Sequence, residues 1–116
     1  MRRILIVDDD SVLRDSLSEA LANTNTDVRT AEHAEAAIAL MDERAPDVVI
    51  SDVRMPGLDG LALLKLLRER APSVDVILMT AFDDMPTVVT AMREGARDFL
   101  VKPLDLHDLR GVLNKT

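Results

Sequence analysis

Four short apolar runs in this chain each end on a residue able to handle charge or accept a group. Ile4-Leu5-Ile6-Val7 leads into Asp8-Asp9-Asp10, and Val48-Val49-Ile50-Ser51 leads into Asp52. Val76-Ile77-Leu78-Met79 leads into Thr80, and Phe99-Leu100-Val101 into Lys102-Pro103. If the runs are parallel strands, their ends converge on one edge of a sheet. The carboxylates of Asp8, Asp9 and Asp52, the Thr80 hydroxyl and the Lys102 ammonium then share a pocket. Such a set can bind a divalent cation and accept a phosphoryl group. Crowded carboxylates repel and raise one another's pKa unless a cation intervenes. Magnesium suits, because it takes oxygen ligands and keeps several waters. An aspartate can attack phosphorus to give an acyl phosphate, splitting one hard displacement into two easier ones. The metal and Lys102 would neutralise charge on the phosphoryl oxygens.

Each of these residues also has a plainer reading when taken alone. Asp8–Asp10 suit an acidic helix start, and Asp52 suits a strand-end turn bonded to its own backbone. Lys102 reads as a surface lysine before a turn, and Thr80 as a packing residue. Asp52 stands out because it closes a continuous apolar run, where a carboxylate is costly unless ionised against a metal or a lysine. Lys102 gains weight from following a buried strand. X-Pro bonds are the main setting for a cis peptide, and one at Lys102-Pro103 would fix the loop geometry. His33 and His107 have no second ligand at metal spacing and read as solvated helix-start residues. The six methionines fall mostly on helical stripes or at strand ends, which favours core over a binding groove.

The elements that must position these residues follow from periodicity. Apolar runs of strand length alternate with helical patterns, as in βαβ units with a parallel sheet. The spacing of Leu13, Leu17, Ala20 and Leu21 predicts a helix over 11–23, capped by Asp10 or Ser11. Residues 27–31 form a weak strand with Val28 and Thr30. A helix over 34–44 carries Ala37, Ile38 and Met41 on one stripe. Met55-Pro56-Gly57 is a loop, and Asp59 opens a helix to Arg70 with Leu63, Leu64 and Leu67 facing the core. Asp83 or Asp84 starts a fourth helix, with Pro86 in its first turn and a stripe of Met85, Val88, Val89 and Met92. Gly95 ends it, and a fifth helix runs from 106 to 114. The fold class is α/β, a (βα)5 doubly wound parallel five-stranded sheet in one domain over residues 1–116. Right-handed crossovers split the helices between both faces. Ligands in such sheets bind beyond the carboxyl ends of the strands, where strand order reverses.

Composition narrows the function classes. The chain has 116 residues, 47% hydrophobic and 30% charged, enough for a real core. A net charge of −7 and an aromatic set of two phenylalanines argue against direct nucleic-acid binding. With no cysteine, disulfides, thiol catalysis and Cys-ligated zinc are excluded. No apolar run approaches a membrane span, and the stretch after Met1-Arg2-Arg3 is too short for a signal peptide. A cytoplasmic protein with no membrane contact is expected. Neither a dinucleotide fingerprint nor a Walker loop is present.

The constellation resembles the receiver domain of two-component response regulators. It rests on Ile4–Asp9, on Asp52 with Met55-Pro56-Gly57-Leu58-Asp59-Gly60, on Thr80-Ala81, and on Gly95-Ala96-Arg97-Asp98-Phe99 with Lys102-Pro103. Together these motifs cover essentially the whole chain. The resemblance implies a flavodoxin-like strand order 2-1-3-4-5 and a phosphorylation-activated switch. It makes Asp52 the phosphoacceptor, fed by a sensor histidine kinase. Asp8, Asp9, Asp52 and the backbone carbonyl of Arg54 would hold Mg2+ (or Mn2+), and Lys102 would contact the phosphoryl group. Thr80 and Phe99 would form the switch pair, relaying the change to the surface of the fourth helix, fifth strand and fifth helix. Implied partners are an output domain beyond Thr116 or a downstream protein, and exposed Val and Met on the fourth-helix surface motivate a phosphorylation-dependent homodimer. As an enzyme such a domain only catalyses its own phosphorylation and slow dephosphorylation. Asp52-Val53-Arg54-Met55-Pro56 and Thr80-Ala81-Phe82 look like enhancer-binding transcriptional activators.

The chain departs from the commonest pattern at three places. Arg54 stands where many members carry smaller polar residues, Phe82 where they are often polar, and Phe99 where tyrosine is frequent. Two other functions compete. Haloacid-dehalogenase-like phosphatases also use an aspartate nucleophile with magnesium, and Asp8 and Asp10 satisfy their D-x-D spacing. That family needs another acidic pair at a later strand end, and here Asp105 and Asp108 fall on a turn and helix instead. A receiver-like module that takes no phosphate is the other, and the intact site residues speak against it.

Overall fold

The protein is seen in a computed structural model that describes residues 1–55, 57, 59–81 and 84–115. Five strands and five helices alternate along it: β1 (Arg2–Val7), α1 (Ser11–Leu21), β2 (Thr26–Ala31), α2 (Ala34–Glu43), β3 (Val48–Asp52), α3 (Gly60–Arg70), β4 (Asp75–Thr80), α4 (Met85–Arg93), β5 (Asp98–Val101) and α5 (Leu106–Asn114). The strands form one parallel sheet in the order β2-β1-β3-β4-β5. The doubly wound α/β expectation and its 2-1-3-4-5 order are both met. Boundaries move by a residue or two, chiefly at the end of α1, where Ala22 turns extended and closes the helix on Ser18.

Alternation along the central strands sorts side chains into two cores. Leu5, Val7, Val49, Val76 and Leu78 pack under α2, α3 and α4 against Ala37, Leu63, Leu64, Leu67 and Ala91. Ile4, Ile6, Ile50, Ile77 and Met79 pack on the other face against Leu17 and Leu21 of α1 and Leu109 and Leu113 of α5. Strands buried on both faces read as unbroken apolar runs, which is why β1, β3 and β4 are so plain in the sequence.

The α4 stripe divides between core and surface. Val88 and Ala91 are its buried residues, while Met85, Val89 and Met92 are exposed. The methionines therefore divide: Met55 and Met79 lie in the core and Met41 packs against it, but Met1, Met85 and Met92 face outward. On an edge helix, one stripe suffices to cover the sheet, and the broad apolar face leaves a remainder. The expectations placed on Pro56, Leu58, Phe82, Asp83 and Thr116 lie outside the described residues.

Candidate functional site

β1 has β2 on one side and β3 on the other, so the chain reverses its direction of travel across the sheet between them. The crevice beyond their carboxyl ends is the place such folds reserve for ligands. Asp8 directly follows β1 and Asp52 closes β3. The three consecutive aspartates split their tasks. Asp8 turns inward with 0% exposure, Asp9 stays exposed at the rim, and Asp10 caps α1 by accepting from the Val12 and Leu13 amides. The helix-capping reading thus holds for Asp10. The turn is tied by the Asp10 N–H donating to Asp8 Oδ1 at 2.9 Å and by Arg14 Nη1 donating to the Asp8 carbonyl at 2.6 Å.

Asp8, Asp9 and Asp52 each bring a carboxylate oxygen within 4.8 Å of the others, close enough to hold one metal ion. An all-oxygen set with one member at the rim suits a hard cation that keeps waters on its open side. Lys102 closes the cluster. Its Nζ lies 2.9 Å from Asp8 Oδ2 and 3.3 Å from Asp52 Oδ2. Burial pushes the Asp52 carboxyl up, Lys102 pulls it down, and Asp8 pushes it up again, leaving it above the usual carboxylate value. Burial pulls the Lys102 ammonium down, but the hydrogen bond to Asp8 and the charges of both aspartates prevail and raise it.

Backbone pairing delivers these groups to one place. Val53 N–H donates to the Met79 carbonyl at 3.0 Å, and Lys102 N–H to the Thr80 carbonyl at 2.8 Å, so the ends of β3, β4 and β5 stay in register. The Lys102-Pro103 peptide is cis. Gly60, at the start of α3, packs on the Asp52–Val53 backbone, where a Cβ would come 2.9 Å from Val53 Cα.

Not every predicted residue joins the cluster. Thr80 is buried and its hydroxyl donates to the Ala81 carbonyl at 3.2 Å. Phe99 lies opposite Leu78 on the edge strand, half-buried against the α4-side core. The Arg54 side chain turns to Asp84, with Nε to Oδ2 and Nη2 to Oδ1 both 3.2 Å. Sequence reasoning saw Asp84 only as a helix start and missed its pairing. A contact across 30 residues leaves no local signal. Arg14 was missed too, although its place one turn into α1 could have suggested it. His33 is more than a solvated residue, since its Nδ1 accepts the Ala36 amide and caps α2. His107 is exposed as expected.

A two-way wound sheet with clustered aspartates and a lysine at its switch point defines a receiver-type signalling domain. The response regulator receiver domain family matches residues 4–114, and the chain belongs to it. The chain is 44% identical over 105 residues to the DNA-binding transcriptional regulator NtrC of Salmonella typhimurium, covering 90% of this chain and 22% of that protein. It is likewise 44% identical over 107 residues to the response regulator protein FleR of Pseudomonas aeruginosa, covering 92% and 23%. Among solved structures, the receiver domain of NtrX from Brucella abortus superposes with a TM-score of 0.91 at 36% identity, covering 97% of this chain and 95% of that one. The chain spans about a fifth to a quarter of the length of the curated relatives it matches. It is a phosphorylation-activated switch domain of the two-component type. Among the described residues, no helix is long and apolar enough to cross a membrane.

Proposed function

We propose that Asp52 is the phosphoacceptor and that residues 1–116 form one cytoplasmic receiver domain. The observation that supports this most is the Lys102 ammonium seated between Asp8 and Asp52 inside a three-carboxylate cluster. An oxygen of Asp52 attacks the phosphorus of a phosphohistidine on a sensor histidine kinase. The P–N bond breaks, the imidazole nitrogen keeps the electron pair, and an acyl phosphate forms on Asp52. Lys102 turns from Asp52 towards the new phosphoryl oxygens while keeping Asp8. Asp8, Asp9, Asp52 and the Arg54 carbonyl would hold Mg2+, or Mn2+, which when bound would neutralise charge on the transferring group. Thr80 trades its bond to the Ala81 carbonyl for one to a phosphoryl oxygen, and Phe99 turns inward behind it. The output is a changed surface on α4, β5 and α5, read by a domain beyond Thr116 or by a downstream protein, or used to pair two copies. The named regulators among its relatives support transcriptional control as the end point.

Incubation with acetyl phosphate and magnesium, followed by mass spectrometry, tests the assignment. A phosphoryl group on Asp52, absent in Asp52→Asn and after chelation, is the expected result. An adduct on Asp8 with rapid turnover would instead favour the phosphatase, and no adduct the inert module.

A further inference from the structure

Asp84 is nearly buried, with its side chain 8% exposed, and both its oxygens are engaged. Arg54 grips them in a two-pronged ion pair, and Thr87 Oγ1 donates to Oδ1 at 2.8 Å. Asp84 stands at the N-cap of α4, yet its side chain caps none of the helix amides. The start of α4 is therefore held to the loop after β3 by Arg54, through Asp84 and Thr87. Arg54 also stands two residues past the candidate acceptor, on the loop that leaves β3. One residue thus links the acceptor to α4. Its side chain is 73% exposed and has room to reorient.

A phosphoryl group carries about −1.5 to −2 charge and three acceptor oxygens. Arginine binds phosphate in the same forked geometry that it uses for a carboxylate. A phosphoryl group on Asp52 would add a more highly charged competitor to Asp84 for the guanidinium. If the guanidinium moves across, Asp84 is left in a dry site without its cation, a costly state that shifting the start of α4 into water relieves.

We propose that Arg54 is a further positioning residue of the switch: it holds the start of α4 through Asp84 and Thr87 until phosphorylation draws it away. This rests on Asp52 being the acceptor. The test is amide hydrogen exchange along α4 in the wild type, Arg54→Gln, Asp84→Ala and the double variant, each with and without acetyl phosphate and magnesium. Mass spectrometry of the same samples locates the phosphoryl group. Without donor, each single variant should speed exchange at Val88 and Val89 by about tenfold, and the double variant no further. With donor, the wild type should reach the same level, and phosphorylated Arg54→Gln should show no added rise. A donor-dependent rise in Arg54→Gln equal to that of the wild type would reduce the pair to a plain structural contact and overturn the proposal. So would unchanged exchange in the phosphorylated wild type. A wild type without phosphate on Asp52 overturns the acceptor assignment and the coupling together, whatever the donor-free comparison gives.

Discussion

Asp8 has no exposed surface, and Lys102 is the cation that meets both it and Asp52. Removing one partner of a buried pair leaves a charge without compensation, at a cost of about 3 kcal/mol. Lys102→Met should therefore melt well below the wild type in a chelator, and saturating magnesium should recover much of the difference by supplying positive charge. Equal melting temperatures in the chelator would sink this account. Asp52 behaves in the opposite sense. Its carboxyl is raised above 3.8, chiefly by burial, so its charged form weakens the fold at pH values above the raised pKa. That penalty vanishes as pH falls below 3.8, where folded and unfolded chains are both protonated. Asp52→Asn should melt higher than the wild type at neutral pH, because it removes the buried charge. The gain should close in acid, as scanning calorimetry across pH would reveal. Asp84 is lowered, first by its hydrogen bonds to Arg54, so its stabilisation is full above 3.8 and is lost as pH falls through its own pKa. The paired aspartates thus predict pH effects of opposite sign.

Elements fix these residues through backbone contacts that tolerate little change. Gly60 lies so close to the end of β3 that a Cβ would press on the Asp52 and Val53 backbone. Gly60→Ala should cost about 3 kcal/mol or more, because no flexible side chain can yield there. Gly111, on the exposed side of α5, has open space where a Cβ would stand, with no neighbouring atom within 4 Å. Gly111→Ala should instead stabilise by about 0.5–1 kcal/mol through helix propensity. Urea denaturation of the two variants separates these opposite outcomes, and a neutral Gly60→Ala would refute the close approach. The strands and most helix limits were legible because each depends on nearby residues. Asp10, Asp59 and Asp105 cap their helices where the polar-to-apolar change predicted a start. The division of the α4 stripe was less legible, because periodicity marks an apolar face without saying how much of it the sheet covers.

At the scale of the whole molecule, α4 leaves Met85, Val89 and Met92 facing outward beside Val88 and Ala91 in the core. An apolar stripe on a domain of net charge −7 suits association only when a signal repositions it. Sedimentation with and without beryllofluoride, a phosphoryl mimic, should show a mass increase that Val89→Asp abolishes. The same monomeric mass in both conditions would exclude the dimer.

The sequence by itself determined the α/β alternation, the strand ends and the chemistry carried by each. It also placed the residues in the order that marks the family. Those features depend on local periodicity and on residue type, which are written in neighbouring positions. Only the tertiary structure decided which of three adjacent aspartates turns inward, since that rests on the turn tied by Arg14 and Asp10. It alone set the direct contacts: Lys102 on Asp8 at 2.9 Å, within the strand-end pocket that the sequence anticipated, and Arg54 on Asp84 across 30 residues, which it did not. Such meetings are set by strand register and by helix packing on a shared sheet, and no local pattern encodes them.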